Sequence, residues 1–186
     1  PQFKKDLQIP PSAQEIKAVT EYPTEELVHH SAETIGAGEI IHHLLELIAR
    51  DSLVPDSTRL EEMTIRLLHI STLPIRTHKD LSLKIIRHIQ KLINNPDCWA
   101  IIRPQPDSFV ELPFFYHDGE RIWTGRIDRV ILKPGEVNIY DYKTFPIRKS
   151  EIPELKKIYY EKQLFHYARA CAELFPGREI KTFLVF

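Results

Sequence analysis

Cysteine, methionine and long apolar runs are all scarce in this sequence. Its two cysteines, Cys98 and Cys171, lie 73 positions apart with no CxxC pair, which excludes zinc ribbons, dithiol redox motifs and a four-cysteine iron–sulfur cluster. No stretch approaches the roughly 18 apolar residues of a membrane span. The opening PQFKKDLQIP lacks the apolar core of a signal peptide, so the expected location is cytoplasmic, with no membrane partner. A phosphate-cradling GxxxxGK[ST] loop is also missing, since the GAG of residues 36–38 runs into Glu39; the chain has no ATP site of that kind. The sole methionine is Met63 and the first residue is Pro1, which fits a processed start or a piece cut from a longer polypeptide.

What is present describes one folded domain. The chain has 186 residues, 42% hydrophobic and 27% charged, close to the globular average and far from disordered or fibrous compositions. Net charge is −1, which taken alone speaks against nucleic acid. The distribution is uneven, however. Residues 1–60 hold 5 basic and 10 acidic side chains, whereas residues 61–186 hold 20 and 16. Between Lys143 and Lys162 the stretch carries Arg148, Lys149, Lys156 and Lys157. On charge alone it fits a solvated helix face as well as a basic patch.

Periodicity predicts an α+β chain with a helical first half. Residues 1–31 read as an extension or linker in which Ser12 and Glu15 form a possible capping box. Residues 32–95 read as helical. Ile41, Leu44, Leu45 and Ile48 recur at spacings of 3 and 4 within a helix from Glu33 to Ala49. Ser57 is expected to cap a helix ending at Ile70, and a third runs from His78 to Ile93, stopped by Asn94, Asn95 and Pro96. Residues 96–186 then read as a sheet with one helix. WAIIRP, SFVELPFFY, RIWTGRIDRVIL and EVNIYDYKTF are rich in β-branched and aromatic residues. Asp118-Gly119 and Pro134-Gly135 supply turns for an antiparallel meander. A helix from Pro153 to Leu174 returns the chain to a final strand, EIKTFLVF, making the sheet mixed.

The hairpin GRIDRVILKPGEVNIYDYKT carries the most chemistry. A turn centred on Pro134-Gly135 places Asp128 opposite Asp141, with β-carbons roughly 4.5–5.5 Å apart. Two facing carboxylates repel, and the simplest agent to offset this is Mg²⁺ or Mn²⁺, which take oxygen ligands. Lys143 follows Asp141 by two residues and so shares its face. There an ammonium can orient a metal-bound water or stabilise charge on a phosphoryl group. A DxK triplet alone is more readily an ordinary ion pair; the mirrored Asp128 is what strengthens the catalytic reading.

Five motifs in order extend that reading: Gly38-Glu-Ile-Ile-His42, Glu111-Leu-Pro-Phe114, Gly125-Arg-Ile-Asp128-Arg129, Asp141-Tyr-Lys143-Thr144 and Gln163-Leu-Phe-His-Tyr167. The series resembles the nuclease domain of RecB/AddA-type helicase–nucleases, within the PD-(D/E)XK nuclease superfamily, over residues 32–186. The resemblance implies a PD-(D/E)XK-like core of mostly antiparallel mixed sheet flanked by helices. It further implies that His42, Asp128, Asp141 and the backbone carbonyl of Tyr142 hold Mg²⁺ or Mn²⁺, with Glu111 as a further ligand or acting through water, and that Lys143 is the catalytic lysine. Gln163 and Tyr167 match the family's QxxxY motif and would brace the site or touch DNA. Arg126, Arg129, Lys149, Lys156 and Lys157 are candidate phosphate contacts.

The implied function is metal-dependent exonucleolytic hydrolysis of DNA, on single- or double-stranded ends, in double-strand break repair and recombination beside a helicase domain or subunit. Two rivals are a non-catalytic DNA-binding or scaffold module of the same fold, against which the intact His42, Asp128, Asp141 and Lys143 speak, and a structure-specific endonuclease such as a junction resolvase.

Overall fold

The structure, a computed structural model, describes residues 32–53, 55–119, 121–144 and 161–185. Among these, five α-helices and four strands follow in the order α1 (Ala32–Ala49), α2 (Ser57–Ile70), α3 (His78–Asn94), α4 (Pro96–Ile102), β1 (Ser108–Asp118), β2 (Arg121–Lys133), β3 (Glu136–Tyr142), α5 (Glu161–Leu174) and β4 (Glu179–Val185). A single 3₁₀ turn, Ile75–Thr77, leads into α3. The fold is α+β with a helical N-terminal half, as the periodicity predicts.

Two local expectations are corrected. Asp56, not Ser57, caps α2: its carboxylate accepts from the Arg59 N–H at 2.9 Å. The segment WAIIRP, expected as a strand, is largely helix α4. Asn95 caps it by accepting from the N–H groups of Asp97 and Cys98, and Pro96 opens it. An Asn N-cap, a proline whose missing N–H costs nothing in the first turn and an acidic Asp97 together outweigh the β propensity of two isoleucines. Asn95 and Pro96 therefore stop one helix and start the next. The Ser12–Glu15 capping box, the N-terminal part of the expected helix from Pro153, and Lys149, Lys156 and Lys157 lie outside the described residues.

The sheet order is β1-β2-β3-β4, antiparallel except for the β3–β4 pair, which is parallel. Gly135 takes φ +76° in the β2–β3 turn, a conformation that glycine reaches without steric cost. The register pairs Lys133 with Glu136 and Arg129 with Tyr140, as a turn centred on Pro134-Gly135 predicts; past that pair the Tyr142 N–H donates to the side chain of Asp128.

Two apolar layers enclose the sheet. On one side Leu44, Leu45, Ile48, Leu60, Leu68, Ile85, Ile89 and Ile102 of the four N-terminal helices pack together with Tyr142 of β3. On the other, Leu164, Tyr167, Ala170 and Cys171 of α5 pack on Phe114, Tyr116, Ile127, Val130, Val137 and Ile139. In a regular strand residues on one face are an even number apart, yet Ile127 and Val130 share this layer. Leu112 and Phe109 do likewise, Phe109 through the Phe175 ring at 5.7 Å. Both strands thus slip by one residue at the same level, between the Val110–Arg129 and Leu112–Ile127 pairs, so the register is the same on either side. The residues at the slip are Glu111, with φ +51°, and Asp128.

Candidate active site

The slip delivers two carboxylates to an opening instead of a core. Glu111 of β1, Asp128 of β2 and Asp141 of β3 all border one cavity. Asp141 is 2% exposed, whereas Glu111 and Asp128 are half-buried. A left-handed backbone at a non-glycine residue costs about 1–3 kcal/mol and persists where its surroundings impose it. Here it aims Glu111 at Asp128. From the helical side α1 supplies His42, whose Nδ1 stands 3.6 Å from Asp128 Oδ2, with its ring edge against Tyr142. One donor atom each from His42, Glu111 and Asp128 lies within 4.8 Å of the others.

These residues line a cavity of about 480 Å³, shared with Glu39, His43, Glu46, Arg126, Lys143 and Gln163. Gly38 explains how α1 comes so close: a β-carbon there would stand 2.8 Å from Thr144 Oγ1. The spacing Gly38-x-x-x-His42 is one helical turn, so the glycine sits against the end of β3 while the histidine reaches over the carboxylates.

The chain holds each carboxylate in a different way. Asp128 Oδ2 accepts the Tyr142 backbone N–H at 2.8 Å. Asp141 is ion-paired with the ammonium of Lys143. Lys143 also donates to Gln163 Oε1 at 3.1 Å, and Gln163 Nε2 donates to Tyr167 Oη at 2.6 Å. Gln163 and Tyr167, one turn apart on α5, thereby brace the lysine; Tyr167 is buried against the edge of Phe114.

Electrostatics favour an added cation. Burial pushes Asp141 up to about 6 despite Lys143, with Asp128 adding to the rise. Burial raises Glu111 as well, joined by the charges of Asp128 and Glu46. For His42 burial acts downward, but the Asp128 and Asp141 carboxylates outweigh it and the pKa rises. Asp141 and Glu111 resist ionising first because they are buried and then because their neighbours are negative, and those negative neighbours also favour the charged imidazole of His42. A cluster of two carboxylates and one imidazole suits a divalent cation of the Mg²⁺ or Mn²⁺ kind.

A family match decides what the site belongs to. The model of the PD-(D/E)XK nuclease superfamily matches residues 15–186. The chain belongs to this superfamily. Membership implies metal-dependent phosphodiester hydrolysis. The matched residues begin within the segment 1–31 that composition reads as an extension. No curated protein matches the chain. Among solved structures, protein VC1899 from Vibrio cholerae is similar at 12% identity and a TM-score of 0.23, over 82% of this chain and 53% of that one. The chain thus spans about half the length of that protein, and the likeness is too slight to bear on function. No helix among the described residues of this superfamily member is long and apolar enough to cross a membrane.

The structure brings His42, Glu111, Asp128, Asp141, Lys143, Gln163 and Arg126 around one cavity. Tyr142 also borders it, donating its N–H to Asp128 and meeting the ring of His42. Arg129 is a correction. Expected as a phosphate contact, it is fully buried and donates to the carbonyls of Ile101 at 3.1 Å and Arg103 at 2.8 Å. It ties the end of α4 to β2 and is unavailable to DNA. Sequence reasoning passed over Glu46, although it follows His42 by four residues and so shares its helix face. It now stands near enough to Glu111 to raise it.

Proposed function

We propose that this chain is an exonuclease domain of the RecB/AddA type, residues 1–186 forming one nuclease unit that hydrolyses DNA with Mg²⁺ or Mn²⁺ in the cytoplasm, fed with strand by a helicase domain or subunit during double-strand break repair. The observation that carries this reading is the convergence of His42, Glu111 and Asp128 donors within 4.8 Å beside the Asp141–Lys143 pair.

His42 and Asp128 would hold the ion, with Glu111 and Asp141 as further oxygen donors and the Tyr142 carbonyl nearby. When bound, the ion supplies Lewis-acid polarisation of the scissile phosphate and lowers the pKa of attacking water. The protein's own part is positioning. The Tyr142 N–H fixes Asp128 Oδ2 and so holds the carboxylate beside His42. Lys143, held between Asp141 and Gln163, presents an ammonium able to orient water or to stabilise charge developing on the phosphoryl group. Arg126, beside Glu111 at 3.5 Å, offers a phosphate contact at the mouth.

Comparing linear with covalently closed circular DNA, in Mg²⁺ or Mn²⁺ and again with a chelator, tests this reading. Loss of linear DNA alone, abolished by the chelator, is the expected result. Cutting of closed circles would replace the exonuclease with an endonuclease, and cleavage that survives chelation would contradict the metal site.

A further inference from the structure

Beyond the slip, the β1–β2 hairpin has one face backed by α5, through Phe114, Tyr116, Trp123 and Ile127. Its other face carries Pro113, Phe115, Ile122, Thr124 and Arg126, all exposed. Phe115 is 81% exposed and Ile122 64%, an unusual pair of positions for large apolar side chains on a strand. Strand alternation makes this face continuous with Asp128. The register sets Pro113 opposite Arg126 and Phe115 opposite Thr124. Arg126 therefore lies one row, roughly 7 Å, and Phe115 two rows, roughly 13 Å, from the carboxylate level along the strands.

We infer that this face is a stacking platform for unpaired bases of the substrate strand, with Phe115 as its ring and Arg126 as the phosphate contact between platform and site. The inference rests on the nuclease reading. Three features on the face select a single DNA strand as its occupant. The exposed ring offers a π-face that any unpaired base can use. The arginine, whose partner Glu111 stands only at the 3.5 Å limit of contact, supplies charge complementary to a backbone phosphate. The face also leads without interruption into the cavity that holds the carboxylates. A duplex keeps its bases stacked inside, so the platform discriminates in favour of single-stranded segments.

The experiment is a binding titration of the whole chain, made inactive by Asp141→Ala, against fluorescent oligothymidylate and against a duplex of equal length. Phe115→Ala is expected to weaken oligothymidylate binding by between about 5- and 100-fold, to leave duplex affinity within about twofold, and to leave the melting temperature unchanged because the ring is exposed. Phe115→Trp is expected to restore the single-strand affinity. Equal affinity of Phe115→Ala and its parent for oligothymidylate overturns the platform, as it would if another protein surface occupied this face. If the unsubstituted chain degrades DNA while Phe115→Ala binds normally, only the platform fails. If it neither binds nor degrades DNA, the nuclease reading fails first.

Discussion

The backbone N–H of Tyr142 donates to Oδ2 of Asp128 across the β2–β3 boundary, 2.8 Å away. This bond makes the position of a site carboxylate depend on strand register and not on the rotamer of a mobile side chain. The same oxygen faces His42 from α1. The site therefore joins the two halves of the molecule, one ligand group from the helical layer and the rest from the sheet.

The brace on Lys143 leads to the first expectation. Gln163 links the lysine to Tyr167, so Gln163→Leu should lower kcat by about 10- to 100-fold, the usual effect of removing a partner that orients a site residue. KM should hardly change. Lys143→Ala should cost more, about 100- to 1,000-fold. Steady-state kinetics on linear DNA compare the two variants, and equal losses would contradict a bracing role for Gln163.

Acidity should oppose the metal. Asp141 is raised to about 6 by burial. In the metal-free protein its contribution to stability is therefore present at acid pH and lost as pH rises through about 6. A cation needs the ionised carboxyl, and Glu111 and His42 are shifted upward as well, so all three must lose protons to the ion. The rise in melting temperature caused by Mn²⁺ should be small near pH 5 and grow toward pH 7.5. A gain independent of pH would contradict the involvement of these groups.

Gly38 separates stability from activity. Alanine is favoured over glycine within a helix by about 1 kcal/mol, yet its β-carbon would press on Thr144 Oγ1 at 2.8 Å. Gly38→Ala should keep or raise the melting temperature while reducing DNA cleavage, because α1 and the end of β3 are pushed apart. Adding Thr144→Ala should recover activity.

Arg129 should behave in the opposite way. Its guanidinium is buried and holds two carbonyls at the end of α4, so Arg129→Ala should cost roughly 2–4 kcal/mol. The affinity of the folded protein for DNA should not change. Chemical denaturation and a binding titration measure the two effects; a stable variant with weakened DNA binding would restore the phosphate-contact role.

Much of this architecture is legible in residue order. The helical periodicity of Ile41, Leu44, Leu45 and Ile48 locates α1, and the Pro134-Gly135 turn gives the register that pairs Arg129 with Tyr140 beside the site. What the order hides has physical causes. Helix α4 is seven residues long, too short for periodicity to compete with the β propensity of its isoleucines, so only the Asn95-Pro96 cap signal marks it. The slip at Glu111 and Asp128 is invisible because alternation assumes that every strand residue takes extended backbone, and glutamate gives no hint of a positive φ. Arg129 reads as surface by type; its burial becomes intelligible only once α4 ends against β2 with carbonyls to satisfy.

The most direct test of the central claim is the initial rate at which Asp128→Ala degrades linear DNA in saturating Mg²⁺ or Mn²⁺, beside the unsubstituted chain. With the Asp128 carboxylate gone, the pairing of His42 with the sheet is broken, and degradation should fall by at least about 1,000-fold while the fold survives by circular dichroism. Degradation at an unchanged rate would show that phosphodiester hydrolysis is carried out elsewhere on the protein.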